Sequence, residues 1–144
     1  MLKAWRSLYF RPGVYRDDPA HDAEWNRGAY LVQGVGHCSA CHAARNTLGA
    51  TLSGANPPGG LVLSWFAPSL TNPGEASVHD WSLDDIVTLL ESGAVAEQAQ
   101  SAGARHAVTL GPMAEVVFSS LQHASRADLQ AMAQSPRGRF ALTC

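Results

Sequence analysis

The sequence predicts an all-α domain of about three to five helices joined by long loops. Three observations carry that expectation. Apolar residues recur at helical spacing behind side-chain caps, long intervals are rich in turn formers, and one pentapeptide, Cys38-Ser39-Ala40-Cys41-His42, groups potential ligands in five positions. The 144 residues are 46% hydrophobic and 15% charged, a composition that fits one globular domain with a sizeable buried core.

The elements follow in order. Residues 1–20 mix Trp5, Tyr9 and Phe10 with Lys3, Arg6, Arg11 and Arg16, and with the turn formers Pro12, Gly13 and Pro19. Prolines interrupt an amphipathic membrane-surface helix, so the stretch reads as a linker whose aromatics pack on a neighbour. A first helix is expected from the cap Asp22 to about Val35, with Trp25, Ala29 and Val32 on one stripe and Gly28 permitting close approach of another helix. It leads to His37, which reads as a surface residue or one behind the ligands, because His42 completes the pentapeptide.

Residues 49–76, centred on Pro57-Pro58-Gly59-Gly60, read as loop with room for a short hairpin. A second helix has Ser82 as cap, Asp85 three residues on, and Gly93 as its stop, with Ile86, Leu89 and Leu90 facing the core. Asp84 and Asp85 lie in its first turn, where carboxylates serve the cap and the helix dipole more readily than acid–base chemistry. Residues 94–108, small and polar, read as a flexible loop. A short helix is expected over 114–120 and a last one from Ser125, with Asp128 in its first turn, Leu129 and Met132 inward and Pro136 as its end. The domain is thus expected at 21–136, preceded by the linker at 1–20 and followed by an irregular tail at 137–144. No internal repeat appears, so one prosthetic group is expected.

The pentapeptide carries the chemistry. Cys38 and Cys41 have the spacing of thiols that join the two vinyl groups of one haem, and His42 follows as a proximal iron ligand. A structural zinc site would need four protein ligands, and only Cys144 remains besides this pair. A thioredoxin-like pair would need a neighbouring βαβ pattern, which is missing. Gly34-Val35-Gly36 fails the dinucleotide fingerprint, because Ser39 stands where its third glycine belongs.

For the second axial position the sequence offers Met113, Met132, His79, His106 and His123. Met113 leads, because Leu110-Gly111-Pro112-Met113 is a compact turn able to present a thioether. Met132 reads as a core residue, and His106 and His123 as solvated. His/Met ligation would give a higher potential than bis-His ligation.

Formal net charge is −2, which gives no electrostatic reason to expect nucleic acid, and Lys3 is the single lysine. No apolar run is long enough for a transmembrane helix, and the N-terminus has no signal-peptide h-region or cleavage site.

Together the motifs resemble class I-like cytochrome c domains, in particular the second haem domain of the multihaem cytochrome c subunit of membrane-bound alcohol, aldehyde and gluconate dehydrogenases. The likeness runs through Trp25–Val32, Gly36–His42, Arg45-Asn46, Leu48–Ala50, Trp65–Thr71, Trp81–Ile86, Gly111–Met113 and Glu115–Val117, covering about residues 5–135. It implies a cytochrome c fold packed around one covalent haem c, held by Cys38 and Cys41, with His42 and Met113 on the iron. It further implies that the Pro68 carbonyl accepts from the His42 ring and that Trp65 and Arg45 contact the haem propionates.

By the same resemblance the chain is an electron-transfer domain and not a catalytic subunit. It would lie in the periplasm or on the outer face of the cytoplasmic membrane and relay electrons from a quinoprotein or flavoprotein dehydrogenase towards a respiratory acceptor. Leu8–Gly13 resembles the linker into that second domain. The chain carries one CxxCH where a full subunit of this type has three. Two other readings stand beside the carrier: a ligand-binding or peroxidatic haem protein with an open distal site, and a fragment without haem.

Overall fold

The computed structural model describes residues 2–10, 12–52, 57–75 and 78–135; Arg11, Pro136, the tail at 137–144 and Cys144 lie outside them. Within them the order is α1 (Leu2–Tyr9), α2 (Ala23–Tyr30), α3 (Ser39–His42), β1 (Gly60–Val62), β2 (Trp65–Ala67), α4 (Leu83–Ser92), α5 (Pro112–Ser119) and α6 (Arg126–Gln134). Short 3₁₀ turns at Val78–Asp80, Ala102–Ala104 and Leu121–His123 link them.

Helix α2 starts at Asp22, whose carboxylate accepts from the Trp25 N–H, and runs into a wider π turn at Leu31–Val35. Helix α6 starts where Ser125 Oγ accepts from the Asp128 N–H. The two helices cross closely at Gly28, where an added Cβ would collide with the Ala131 carbonyl. At one edge of the crossing, Arg27 grips both oxygens of Asp128, at 2.8 and 3.2 Å. Val32, Ile86, Val87, Leu129, Met132 and Ala133 form the core between α2, α4 and α6. The short α5 packs back on α4.

Helix α4 has the expected limits: Ser82 Oγ caps the Asp85 N–H, and Gly93 ends the helix at φ 78°. The Asp85 carboxylate does more than serve the helix start. It turns outward from its own turn to accept from Ser101 N–H (2.7 Å) and Gln100 N–H (3.2 Å). Backbone hydrogen bonds join the ends of segment 94–108: Val95 N–H donates to Ala107 O and Thr109 N–H to Gly93 O.

Two expectations need correction. The fold is mainly helical but not all-α, because β1 and β2 pair antiparallel with Gly60 opposite Ala67, Leu61 opposite Phe66 and Val62 opposite Trp65. Their two-residue turn places Leu63 and Ser64 at φ 49° and 68°, the handedness that two-residue hairpins need, without the Asn-Gly that usually signals it. The described residues hold six helices, not three to five. The sixth arises within the linker-like segment, where α1 forms because its first proline, Pro12, falls beyond its end. Its indole Trp5 Nε1–H donates to Leu48 O (2.8 Å), and Tyr9 Oη accepts from Asn46 Nδ2 (3.3 Å). No helix among the described residues is long and apolar enough to cross a membrane.

Candidate haem-attachment site

The site is built on α3, a single helical turn. Cys38 N–H donates to Val32 O, which ties the turn to the end of the first helix, and His42 N–H donates to Cys38 O (2.9 Å). The turn therefore places the Cys38, Cys41 and His42 side chains within one short arc. Cys38 packs against the core, and neither it nor Cys41 is in a disulfide. Burial, with a smaller push from nearby Cys41, raises the Cys38 thiol to about 11.

His42 is half-buried and faces the segment that follows β2. Its Nδ1 lies 2.7 Å from Pro68 O. A carbonyl can only accept, so Nδ1 carries the proton and Nε2 keeps a free lone pair. Burial holds the imidazolium disfavoured against the opposing pull of the Pro68 carbonyl, and the ring pKa lies below its ordinary value. A neutral imidazole with one nitrogen fixed as donor and the other bare is the form that ligates a metal. Among the described residues no group of three or more His, Cys, Asp or Glu could hold a metal ion by itself.

Two glycines bring the hairpin against this turn. At Gly60 a Cβ would stand 2.5 Å from Cys41 O and 2.7 Å from Ala43 O. At Gly59 it would strike Ala67 O, with Glu75 Oε2 and Ser69 N each 2.8 Å away. Ala44 N–H donates to Pro58 O (2.8 Å), completing the seam. The Pro-Pro-Gly-Gly stretch, legible only as loop, is here a place where backbone meets backbone.

Trp65 opens β2 and is 49% exposed. Its ring lies against Gly111, where an added Cβ would come within 2.5 Å, and Gly111 adopts φ 54° before Pro112 and the half-buried Met113. One contact therefore joins the turn that carries Met113 to the hairpin that leads to Pro68. Arg45 points into its own loop: Nη1 donates to Gly49 O (2.9 Å) and Nη2 to Ala40 O (3.0 Å), inside the pentapeptide.

The other ligand candidates have surroundings of their own. Met132 is 7% exposed within the core. His79 pairs with Asp80 at 2.7 Å, and His37, His106 and His123 are exposed. Sequence reasoning missed Glu75, which accepts from Ser69 N–H (2.7 Å) and Gly59 N–H (3.1 and 3.2 Å). Nothing local marked it beyond its place after the turn Asn72-Pro73-Gly74.

No protein-family model matches the chain. Curated relatives do. A nicotinate dehydrogenase subunit from Pseudomonas putida is 39% identical over 92% of this chain and 10% of its own length. The cytochrome subunit of fructose dehydrogenase from Gluconobacter japonicus is 38% identical over 85% of this chain and 23% of its own. The cytochrome c subunit of quinone alcohol dehydrogenase from Gluconobacter oxydans is 38% identical over 92% of this chain and 28% of its own. The chain spans between 10 and 38% of the length of the relatives it matches. At 34–39% identity over most of its length, it is homologous to cytochrome subunits of alcohol, fructose and gluconate dehydrogenases and to a nicotinate dehydrogenase subunit, matching the cytochrome c domain that its motifs resemble.

Proposed function

We propose that this domain holds one haem c covalently through Cys38 and Cys41 and serves one-electron transfer, with His42 and Met113 as axial ligands. The observation that carries the proposal is the 2.7 Å contact between His42 Nδ1 and Pro68 O, which leaves Nε2 bare beside two unpaired thiols. When bound, the haem supplies reversible electron uptake and release at its iron.

The chain's own residues do the rest. The Cys38 and Cys41 thiols anchor the porphyrin edge on α3. Pro68 fixes the His42 ring and raises its basicity. Met113 brings a thioether, which favours the reduced iron and a higher potential than a second imidazole would. Trp65 lies against the Met113 turn with its indole N–H unused among the described residues, available to a propionate. Arg45 commits two donors to Ala40 and Gly49 and keeps others for the same purpose.

The dehydrogenase relatives support a wider reading. A domain of this type would pass electrons from a quinoprotein or flavoprotein dehydrogenase towards a respiratory acceptor, in the periplasm or at the outer face of the cytoplasmic membrane. The ligand assignment is tested with Met113→Ala on haem-loaded protein. The expected outcome is loss of the long-wavelength ferric band of a thioether–iron bond and rapid carbon monoxide binding by the reduced variant, while the parent resists it. An unchanged spectrum contradicts the assignment, and fast carbon monoxide binding by the parent favours the open-site reading.

A further inference from the structure

Glu75 and His42 grip the same peptide unit from opposite sides. The Pro68 carbonyl and the Ser69 N–H belong to one planar peptide, in which the two groups point in opposite directions. His42 Nδ1 approaches that carbonyl at 2.7 Å, and Glu75 Oε2 accepts from that N–H at 2.7 Å. The same carboxylate also takes the Gly59 N–H through both oxygens, at 3.1 and 3.2 Å, and Asn72 Nδ2 lies 3.5 Å from Oε1. Glu75 thus staples the residue before β1 to the residue after Pro68, clamping both ends of the hairpin.

We propose that Glu75 is a positioning residue that tunes the axial histidine through this peptide: a carboxylate–peptide–imidazole relay ending at the iron. The proposal rests on His42 being the proximal ligand. A carboxylate on the Ser69 N–H polarises the peptide and makes the Pro68 oxygen a stronger acceptor. The stronger acceptor draws on the Nδ1 proton, raises the basicity of Nε2 and favours the oxidised iron. It acts in the way a carboxylate acts when it touches a ligating histidine directly, with one peptide inserted between the two. The relay opposes Met113, which would favour the reduced iron, so the two residues would act on the potential in opposite directions. Geometry adds to charge. Without the clamp, the Pro68–Ser69 plane and the His42 ring that bonds it would be held less firmly.

The test uses haem-loaded parent protein, Glu75→Gln and Glu75→Ala. Gln keeps one acceptor oxygen for the Ser69 N–H without the charge, and Ala removes the clamp. Three quantities are read: the midpoint potential, exchange of the His42 Nδ1–H in the reduced state by NMR, and the unfolding midpoint. The expected result is a potential that rises from parent to Gln to Ala. Ring N–H exchange should become about tenfold faster in Ala, and Gln should recover part of the protection. If Glu75→Ala does not fold, the isosteric Gln variant carries the test through the same rise in potential. The proposal is overturned if unfolding shifts while potential and ring exchange stay at parental values, which is what a purely structural clamp would give. The two failures separate cleanly. A parent protein that binds no haem, or whose haem spectrum is indifferent to His42→Ala, refutes the ligation reading and the relay with it. A normally ligated parent with insensitive Glu75 variants refutes the relay alone.

Discussion

The crossing of α2 with α6 and the segment from Ala43 to Glu75 are held by different kinds of contact. The crossing is a helix scaffold. Its side chains recur at helical spacing, its ends are capped by Asp22 and Ser125, and its surface is pinned by Arg27 on Asp128. Among its described residues the second segment contains one hairpin of two three-residue strands and little other regular structure. It is held by backbone contacts at Gly59 and Gly60 and by the Glu75 carboxylate on two backbone N–H groups. On the proposed reading, the first region supplies stability and the second orients His42. Damage to the first should cost folding free energy and spare the site's geometry once folded, whereas damage to the second should disturb His42 and Trp65 directly.

The largest expected effect tests the scaffold. Gly28→Ala sets a methyl against the Ala131 carbonyl at the crossing, and it should cost about 3 kcal/mol, because two packed helices must separate to admit it. Urea denaturation reads this as a lower midpoint at unchanged slope. Haem attachment to the surviving folded fraction should be normal.

Asp85 gives the next effect. Burial alone would raise its pKa, but the Ser101 and Gln100 N–H groups and the hydroxyls of Ser101 and Ser82 outweigh that and hold it below the usual carboxylate range. The sign follows. The stability contributed by this carboxylate is complete above about pH 4 and is lost as pH falls through that range towards the folded pKa. Asp85→Asn should therefore cost about 2 kcal/mol at neutral pH, and the gap to the parent should narrow below about pH 4. Denaturation curves over a pH series check both. A gap that widens on acidification would contradict the assignment.

The smallest effect sharpens the other side of the comparison. Leu63 holds a left-handed backbone conformation at the hairpin tip while 82% exposed, so its strain has no packing return. Leu63→Asn should stabilise the fold by about 0.5–1 kcal/mol, read as a higher melting temperature with an unaltered haem spectrum.

The same division explains what the sequence made legible. Helices α4 and α6 could be bounded to within about a residue because Ser82, Gly93 and Ser125 act within a turn of themselves. The pentapeptide was legible because its residues are adjacent. Pro68 entered through family resemblance, and its carbonyl lies 2.7 Å from His42 Nδ1. The hairpin, by contrast, was obscured by a Leu-Ser turn where Asn-Gly would have announced it. Helix α1 was hidden by prolines that lie outside it. Asp85 read as a capping residue because its second set of partners, Gln100 and Ser101, is fifteen and sixteen positions away. Glu75 and Gly60 act mainly through backbone groups elsewhere in the chain, and no local pattern carries that information.

The central claim is that a haem is covalently fixed to α3. The most direct measurement is denaturing electrophoresis with haem staining of the chain produced alongside a c-type haem attachment system, in parallel with Cys38→Ala/Cys41→Ala. The expected result is haem that stays with the polypeptide after denaturation and is absent from the double variant. Polypeptide without Soret absorption, or haem that denaturation extracts equally from both proteins, would contradict it.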